Sequence, residues 1–416
     1  MQGKQNGPRR PAGEAAGKAQ TPNYKKTLTA CYLGFVTQAI AANFAPLLFL
    51  TFQRDYGIPL GQIALIPVVF YLVQLLIDLG AARFADRIGY RACVVASQGV
   101  SAAGLVLLAV LPEVLPVPFW GILLAVVLYA VGSGLVEVLV SPIVEACPFA
   151  DKAGRMSLLH SFYCWGAVGV ILGSTLFFAV FGVGRWRVLA LLWALVPLVN
   201  VFRFLTCPIG RLVAEGEGLS PGRLLRQPLL WAMVLLMVCS GASEATMAQW
   251  ASAFTESALG VSKTVGDLAG PCLFAAFMGG SRMLYGRLSG RLSGRLDLAR
   301  TMLGGGLLCV ACYLLAALSP LPVLGLAGCA VCGFGVGIMW PGSISLASRQ
   351  CPNGGTAMFA LLALAGDLGS TVSPALVGWL SGVAGGSLKT GLLAATVFPL
   401  LLASRLFALC RRRRSA

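Results

Sequence analysis

The chain has 416 residues, of which 57% are hydrophobic and only 11% are charged, and its formal net charge is +16. Soluble domains carry roughly 25% charged residues, so this composition excludes an ordinary soluble globular protein. The positive charge alone would fit a nucleic-acid-binding protein, but its distribution along the chain favours a membrane protein.

Long apolar stretches follow one another along the chain. A transmembrane helix needs about 20 mostly apolar residues, and these stretches lack the apolar–polar alternation of a membrane β-barrel. We therefore predict an all-α membrane protein with twelve transmembrane helices. The predicted spans are 28–52, 60–82, 92–111, 117–146, 156–181, 186–206, 228–256, 266–286, 298–317, 321–348, 355–382 and 389–410.

Basic residues are distributed unequally between the two sets of loops that these spans define. With a cytoplasmic N-terminus, 26 of the 31 Lys and Arg face the cytoplasm and the other five lie in outer loops. This asymmetry follows the positive-inside rule, so we predict a multi-pass protein of a plasma (inner) membrane with both termini cytoplasmic. The basic tails, a disordered one at 1–26 and a short one at 411–416, are expected to contact anionic lipid. Nucleic acid is not an expected partner.

The second half of the chain repeats the first at an offset of 204 residues. The stretch YGRLSGRLSGRLDLAR at 285–300 corresponds to ARFADRIGYR at 82–91. The offset indicates two six-helix pseudo-repeats in parallel orientation, predicted at 27–206 and 228–410 with a cytoplasmic linker at 207–227. The matched residues are Arg287 with Arg83, Arg291 with Arg87, Arg295 with Arg91, Pro271 with Pro67, Phe274 with Phe70, Arg282 with Asp78, and Cys351 with Cys147.

A charged loop follows the second predicted span. Asp86 can pair with Arg87 and Arg91, which would form a gate between the halves, and the alternative is a plain basic loop. The second copy has Gly290 in place of Asp86, so its arginines need another partner. The loop resembles the signature G-x-x-x-D-R-x-G-x-R of the major facilitator superfamily, with Ala82 in place of the first Gly. This resemblance implies alternating access around a central cavity near the midplane.

Ionisable residues within the predicted spans are candidate functional residues, because each costs about 2.5–3.5 kcal/mol to insert. Glu137 lies about 15 Å from the cytoplasmic end of the fourth span at 1.5 Å per residue. A lone buried carboxyl group favours its neutral form, so we predict a proton site there, with a structural hydrogen bond as the alternative. His160 is the single histidine. It is predicted either to relay protons or to bond a neighbouring helix as a neutral ring.

A carboxylate, an amide and an indole lie close together in the seventh span. Glu244, Gln249 and Trp250 would suit a polyhydroxylated solute, because polar groups bind hydroxyls and a ring stacks on C–H faces. The alternative places Trp250 at the membrane interface. Further candidates for the substrate site are Gln38, Asn43, Tyr71, Gln74 and Trp340.

Three more charged residues in the spans are predicted to form gating or structural salt bridges. Asp367 would pair with Arg282 or line the cavity. Asp78, two turns before Asp86, would pair with Arg282 or with a loop arginine.

A second resemblance narrows the function. Glu137, the stretch LLHSFYCWG at 158–166 and GDLG at 366–369 resemble the fucose-permease-like branch of the superfamily, whose members include sugar:proton symporters. This resemblance implies a secondary active transporter that moves a small organic solute, with a sugar favoured, together with a proton. The alternatives are a proton-driven exporter of amphipathic compounds and, from another class, a non-transporting receptor or lipid scramblase.

Metal, cofactor and enzyme chemistry are not predicted. Cys309 with Cys312 and Cys329 with Cys332 have zinc-ribbon spacing, but they lie in apolar helices without His or acids nearby, whereas zinc sites need polar surroundings. There is no phosphate-binding G-x-x-x-x-G-K-[ST] motif. We predict no metal, no cofactor and no catalytic residue.

Overall fold

The computed structural model describes residues 23–63, 65–210, 219–259, 268–292, 296–383 and 388–415. Within these ranges the chain is almost entirely helical and contains no strand. Most of the predicted tail at 1–26 and part of the predicted linker at 207–227 lie outside the described residues. So do the side chains of the C-terminal arginines after Arg411.

The N-terminal half contains six spans, the first of which is interrupted. Its helices are α1 (Tyr24–Asn43), α2 (Phe49–Tyr56), α3 (Leu60–Ile63), α4 (Leu65–Ile88), α5 (Tyr90–Val114), α6 (Pro118–Ala146), α7 (Lys152–Phe181) and α8 (Trp186–Thr206). A 3₁₀ turn at Ala45–Leu48 joins α1 to α2 and completes the first span.

The C-terminal half repeats this arrangement with more interruptions. Its helices are α9 (Pro221–Leu224), α10 (Pro228–Leu259), α11 (Leu273–Arg291), α12 (Leu298–Leu318), α13 (Pro322–Val336), α14 (Met339–Gln350), α15 (Gly355–Val383), α16 (Leu388–Ala395) and α17 (Val397–Ser415). A π-helical turn at Leu268–Cys272 precedes α11. α13 with α14, and α16 with α17, each form one span.

Length and hydropathy together identify ten of the spans. Ten helical segments of the described chain are long and apolar enough to cross a membrane. The other two spans are α4 and α11, which occupy equivalent places in the two halves. α4 contributes a shorter apolar segment, Leu65–Ala81, and α11 carries Arg282, Arg287 and Arg291.

Local sequence signals account for several helix ends. Asp151 begins α7 by accepting a hydrogen bond from the backbone N–H of Gly154 at 2.9 Å. Asp297 does the same for α12 with Ala299 at 3.0 Å, as expected for N-cap residues. Gly89, between α4 and α5, has a φ of 97°, which explains why the charged loop needs glycine at this position.

The break in the tenth span has a specific cause. In a continuous helix, the carbonyl of Gly337 would accept from residue 341, but Pro341 has no N–H. The Nε of Arg282 donates to this carbonyl at 2.8 Å instead. A freed carbonyl inside a membrane protein needs such a partner, so Arg282 stabilises the break between α13 and α14.

The two halves meet through two helix pairs, in each of which the second span of one half packs against the fifth span of the other. α4 of the N-terminal half packs against α15, and α7 packs against α11. Near the end of the bundle that carries both chain termini, here called the terminal end, Ala81, Val138 and Ala360 are buried together across the halves. At the opposite end, here called the far end, the hydrophobic core around Phe52 and Trp186 consists, in the described part of the chain, of N-terminal-half residues. Among the described residues, the halves are therefore joined by a shared buried cluster at the terminal end, and the buried cluster at the far end belongs to the N-terminal half.

Candidate functional site

A cavity of about 970 Å³ lies between the two halves. Its wall includes residues from the far-end parts of several helices. Examples are Asn43 at the last position of α1, Pro67 near the start of α4 and Pro374 in the last third of α15. The cavity therefore faces the far end. Predicted site residues in its wall are Gln38, Asn43, Tyr71, Gln74, Glu137, His160, Glu244, Gln249, Trp250, Arg282, Trp340 and Asp367.

Glu137 is held by two amides on the N-terminal side of the cavity. Gln38 of α1 donates from Nε2 to Glu137 Oε2 at 2.8 Å. Gln74 of α4 donates to the same oxygen and accepts at its Oε1 from the Ser133 hydroxyl at 3.2 Å. The carboxyl group is thus positioned by hydrogen bonds without an ion pair among the described residues.

Gln74 also connects this carboxyl group to the C-terminal half. Its Nε2 lies 3.4 Å from Oδ2 of Asp367 in α15. The carboxyl group of Asp78, one turn after Gln74 in α4, lies within hydrogen-bonding distance of Asp367. Neither Asp78 oxygen has a hydrogen-bond donor among the described residues. Three acids and one amide therefore form a chain of contacts across the interface between the halves.

Arg282 forms its ion pair with an acid that the sequence did not predict as its partner. Arg282 pairs with Glu244 at 2.9 Å, not with Asp78 or Asp367. Its Nη1 also lies 3.3 Å from the carbonyl of His160 and 3.1 Å from Sγ of Cys164. The sequence places Asp78 and Arg282 at equivalent depths, but it does not specify which way each side chain points.

His160 packs beside the cavity instead of at its centre. Its Nε2 lies 3.2 Å from the Ser141 hydroxyl, and its ring centroid lies 4.7 Å from that of Phe35. The ring is 6% exposed. The Ser141 hydroxyl of α6 is the hydrogen-bond partner of the ring among the described residues.

The remaining predicted substrate residues differ in how freely they face the cavity. Gln249 and Tyr71 are exposed. The indole N–H of Trp250 donates to the carbonyl of Pro374 at 3.2 Å, which leaves the ring itself for contact. The Trp340 ring packs against Gly366, and Asn43 donates to the carbonyl of Ala39 in its own helix at 2.9 Å.

The arginines of the charged loop differ in their surroundings. Arg91 donates to the carbonyls of Phe204 and Leu205 at 2.7 Å and of Cys207 at 2.8 Å, so it caps the C-terminus of α8 within its own half. Arg87 is exposed. The side chain of Asp86, the predicted partner of both, lies outside the described part of the chain, as does Arg295.

Other residues close the terminal end. Asp151 accepts from the Ser289 hydroxyl at 2.8 Å, and Glu145 accepts from the Ser348 hydroxyl at 2.9 Å. The hydroxyls of Tyr90 and Thr356 also meet there. Sequence reasoning missed these contacts. An N-cap signal at Asp151 was available, but it carries no information about a partner in the other half.

Close backbone approach accompanies these contacts. A Cβ atom added to Gly286 in α11 would lie 2.8 Å from the carbonyl oxygen of Gly154 in α7. One added to Gly290, the counterpart of Asp86, would lie 3.7 Å from Asp151 Oδ2. Gly286 therefore allows α11 to approach α7, whereas the distance at Gly290 is an ordinary van der Waals contact.

The family description of the Major Facilitator Superfamily matches residues 30–374. The chain belongs to this superfamily. Its members are transporters and not enzymes. No functionally curated protein matches the sequence closely.

Solved structures share the superfamily fold at low sequence identity. The Escherichia coli fucose:proton symporter FucP, in a single-substitution variant, has a TM-score of 0.76 at 18% identity, covering 94% of this chain and 99% of that chain. FucP in the outward conformation has a TM-score of 0.75 at 19% identity, covering 93% and 98%. These similarities establish the twelve-helix fold.

Two further structures widen the range of relatives. The proton:xylose symporter XylE, bound to 6-bromo-6-deoxy-D-glucose, has a TM-score of 0.75 at 12% identity, covering 92% of this chain and 95% of that chain. The human organic anion transporter MFSD10 has a TM-score of 0.70 at 18% identity, covering 93% and 100%. The fold is thus shared by carriers described for sugars and for organic anions.

Proposed function

We propose that the protein is a secondary active transporter that moves a small polyhydroxylated solute, such as a sugar, together with a proton by alternating access. The observation that carries this proposal is the position of Glu137. It is an acid at the wall of a 970 Å³ cavity between the halves, bonded to two amides and to no cation among the described residues. Such a carboxyl group can bind and release a proton while remaining hydrogen bonded.

The rest of the cavity suits a neutral solute with hydroxyl groups. Gln38, Gln249 and Glu244 supply acceptors or donors, and the rings of Trp250 and Trp340 supply flat apolar surfaces. This mixture is typical of small-molecule sites, in which a few polar groups fix the orientation of the ligand against apolar walls. The sugar:proton symporters with the same fold are consistent with this substrate class.

The charges in the cavity argue against an anionic solute. Arg282 is the cation of the cavity wall among the described residues, and it is 2% exposed. Its Nε, Nη1 and Nη2 already donate to Gly337, His160 and Glu244. An anion would therefore meet Glu137 and Asp367 without a free cation to balance them.

We further propose that the terminal end faces the cytoplasm of a plasma (inner) membrane. The excess of Lys and Arg in loops at that end supports this orientation. The cavity then opens to the outside, as in the FucP structure described as outward. Basic residues near the two termini would contact anionic lipid.

A proton-driven exporter of amphipathic compounds is the second candidate. The observation that favours it is the apolar part of the wall, which includes Phe35, Phe70, Phe274 and Met278. A receptor or scramblase without transport activity would be favoured by a sealed cavity with Glu137 and Glu244 both paired. This cavity reaches the far end, and only Glu244 has a cation partner among the described residues.

Transport in liposomes tests the proposal. Purified protein is reconstituted with an internal pH dye, and a panel of neutral sugars, amino acids and amphipathic cations is added outside. A sugar that acidifies the lumen supports symport, and Glu137→Gln should abolish the acidification. Asp55→Asn, which removes an acid outside the spans, is the matched control. Proton-coupled uptake that survives Glu137→Gln contradicts the mechanism, and alkalinisation by amphipathic cations supports the exporter.

A further inference from the structure

Asp78, which is buried, and Asp367, which lines the cavity, form a contact between the two halves. Asp78 is 0% exposed, and its carboxyl group lies within hydrogen-bonding distance of that of Asp367. Asp78 belongs to α4 and Asp367 to α15, one of the two reciprocal helix pairs. Asp367 lines the cavity, whereas Asp78 does not, so Asp78 lies behind Asp367 as seen from the cavity.

The described residues supply no hydrogen-bond donor for an ionised Asp78. An ionised carboxylate accepts hydrogen bonds at both oxygens and donates none. Among the described residues, Asp367 receives one long contact from Gln74 at 3.4 Å, and both oxygens of Asp78 lack a donor. A buried charge without donors or a counter-ion is strongly unfavourable, so Asp78 requires a proton, which it can donate to Asp367.

The neighbouring titratable groups add negative charge instead of compensating it. Glu137 of α6 is the acid near the pair, and Tyr71 of α4, a neutral phenol, is the other titratable group close to it. Glu244 of α10 is paired with Arg282, which places that guanidinium with a different acid. Two carboxylates that share a site do not both ionise, and their protons belong to the pair as a unit.

We propose that Asp78 and Asp367 bind one proton between them, as a site separate from Glu137, and that this shared proton joins the halves in the conformation closed at the terminal end. The inference rests on the proposed function only in taking alternating access as the motion. A proton reaches the pair from the cavity through Asp367. When α4 and α15 separate, Asp78 moves away with the N-terminal half and the pair is divided, which releases the proton.

The test measures thermal stability of the full-length protein in lipid nanodiscs over a range of pH, without solute. All measurements use the Glu137→Gln variant as the starting protein, so that no carboxyl group at position 137 contributes to the pH dependence. Its melting temperature should fall as pH rises, because ionising the second carboxyl of the pair places two charges in contact. Adding Asp78→Asn should remove this fall, since an amide donates to Asp367 without an added proton. Adding Asp55→Asn as a control should leave the fall unchanged.

A second measurement covers the case in which Asp78→Asn does not fold. Infrared spectra of the Glu137→Gln protein should contain a carbonyl band of a buried protonated carboxylic acid near neutral pH, and Asp367→Asn should remove or shift it. The absence of this band, or an unchanged pH dependence of melting after Asp78→Asn, overturns the proposal. Neither measurement needs a transported solute, so a failure of the sugar hypothesis in liposomes remains a separate result.

Discussion

The guanidinium of Arg282 donates to the carboxylate of Glu244 at 2.9 Å and to the carbonyl of Gly337 at 2.8 Å. The same side chain therefore neutralises an acid in the cavity wall and occupies the carbonyl that Pro341 leaves free. Arg282 also reaches across the interface to α7. It combines a structural role in the C-terminal half with a contact between the halves.

Replacing Arg282 with Met should destabilise the protein by about 3 kcal/mol, because Glu244 and the carbonyl of Gly337 both lose their partner. The double variant Arg282→Met with Glu244→Gln should recover part of this loss, since the unpaired acid is removed. Thermal melting of the purified variants measures both effects. Strictly additive effects of the two substitutions would mean that the residues do not interact.

Replacing Gly286 with Val should push α11 away from α7, since the Cβ position lies 2.8 Å from a backbone oxygen that cannot move easily. The terminal end should then open more often. Hydrogen–deuterium exchange of the segments around Gly154 and Gly286 should increase several-fold. Gly280→Ala in the same helix is the matched control, because its Cβ position has nothing within 4 Å. Equal exchange in both variants would contradict this interpretation of the interface.

Replacing Gln74 with Leu should reduce proton-coupled uptake at least tenfold. The substitution leaves Glu137 with one amide and Asp367 without its long contact, and an unsatisfied buried polar group costs about 1–3 kcal/mol. Initial uptake rates in liposomes measure the effect at equal protein content. Gln53→Leu, at an exposed position, serves as the control. Normal coupling in Gln74→Leu would show that Glu137 functions without the link to α15.

Replacing Arg91 with Gln should lower stability by about 1 kcal/mol, because three carbonyls at the end of α8 lose a charged donor. Folded Arg91→Gln protein should still transport at a rate similar to wild type. Melting curves and uptake rates separate the two effects. If Arg91→Gln and Arg87→Gln instead change transport equally while stability is unchanged, the loop acts as the gate that its sequence suggests.

The architecture is predictable because its signals are distributed along the chain. Span length, the excess of basic residues on one side and the repeat at an offset of 204 residues each depend on many positions. α4 and α11, the two spans outside the ten long apolar segments of the described chain, are predicted by the same repeat. Their charged residues also identify them as candidates for function.

Pairing of individual side chains is less accessible to sequence reasoning. The sequence identifies Asp78 and Arg282 as charges at equivalent depths, but the rotation of each helix decides that one meets Asp367 and the other Glu244. For Arg91 the sequence suggests a partner a few residues away. The acceptors that the structure gives it, at the end of α8, are more than a hundred residues away.

The reciprocal contacts of α4 with α15 and of α7 with α11 have the form of an interface between two like subunits. In a dimer of identical six-helix chains, positions 78 and 282 would be one residue and would carry the same charge in both copies. Fusion of the copies into a single polypeptide removes that constraint. Position 78 can then be an aspartate while its counterpart, position 282, is an arginine. Two identical chains cannot have this difference.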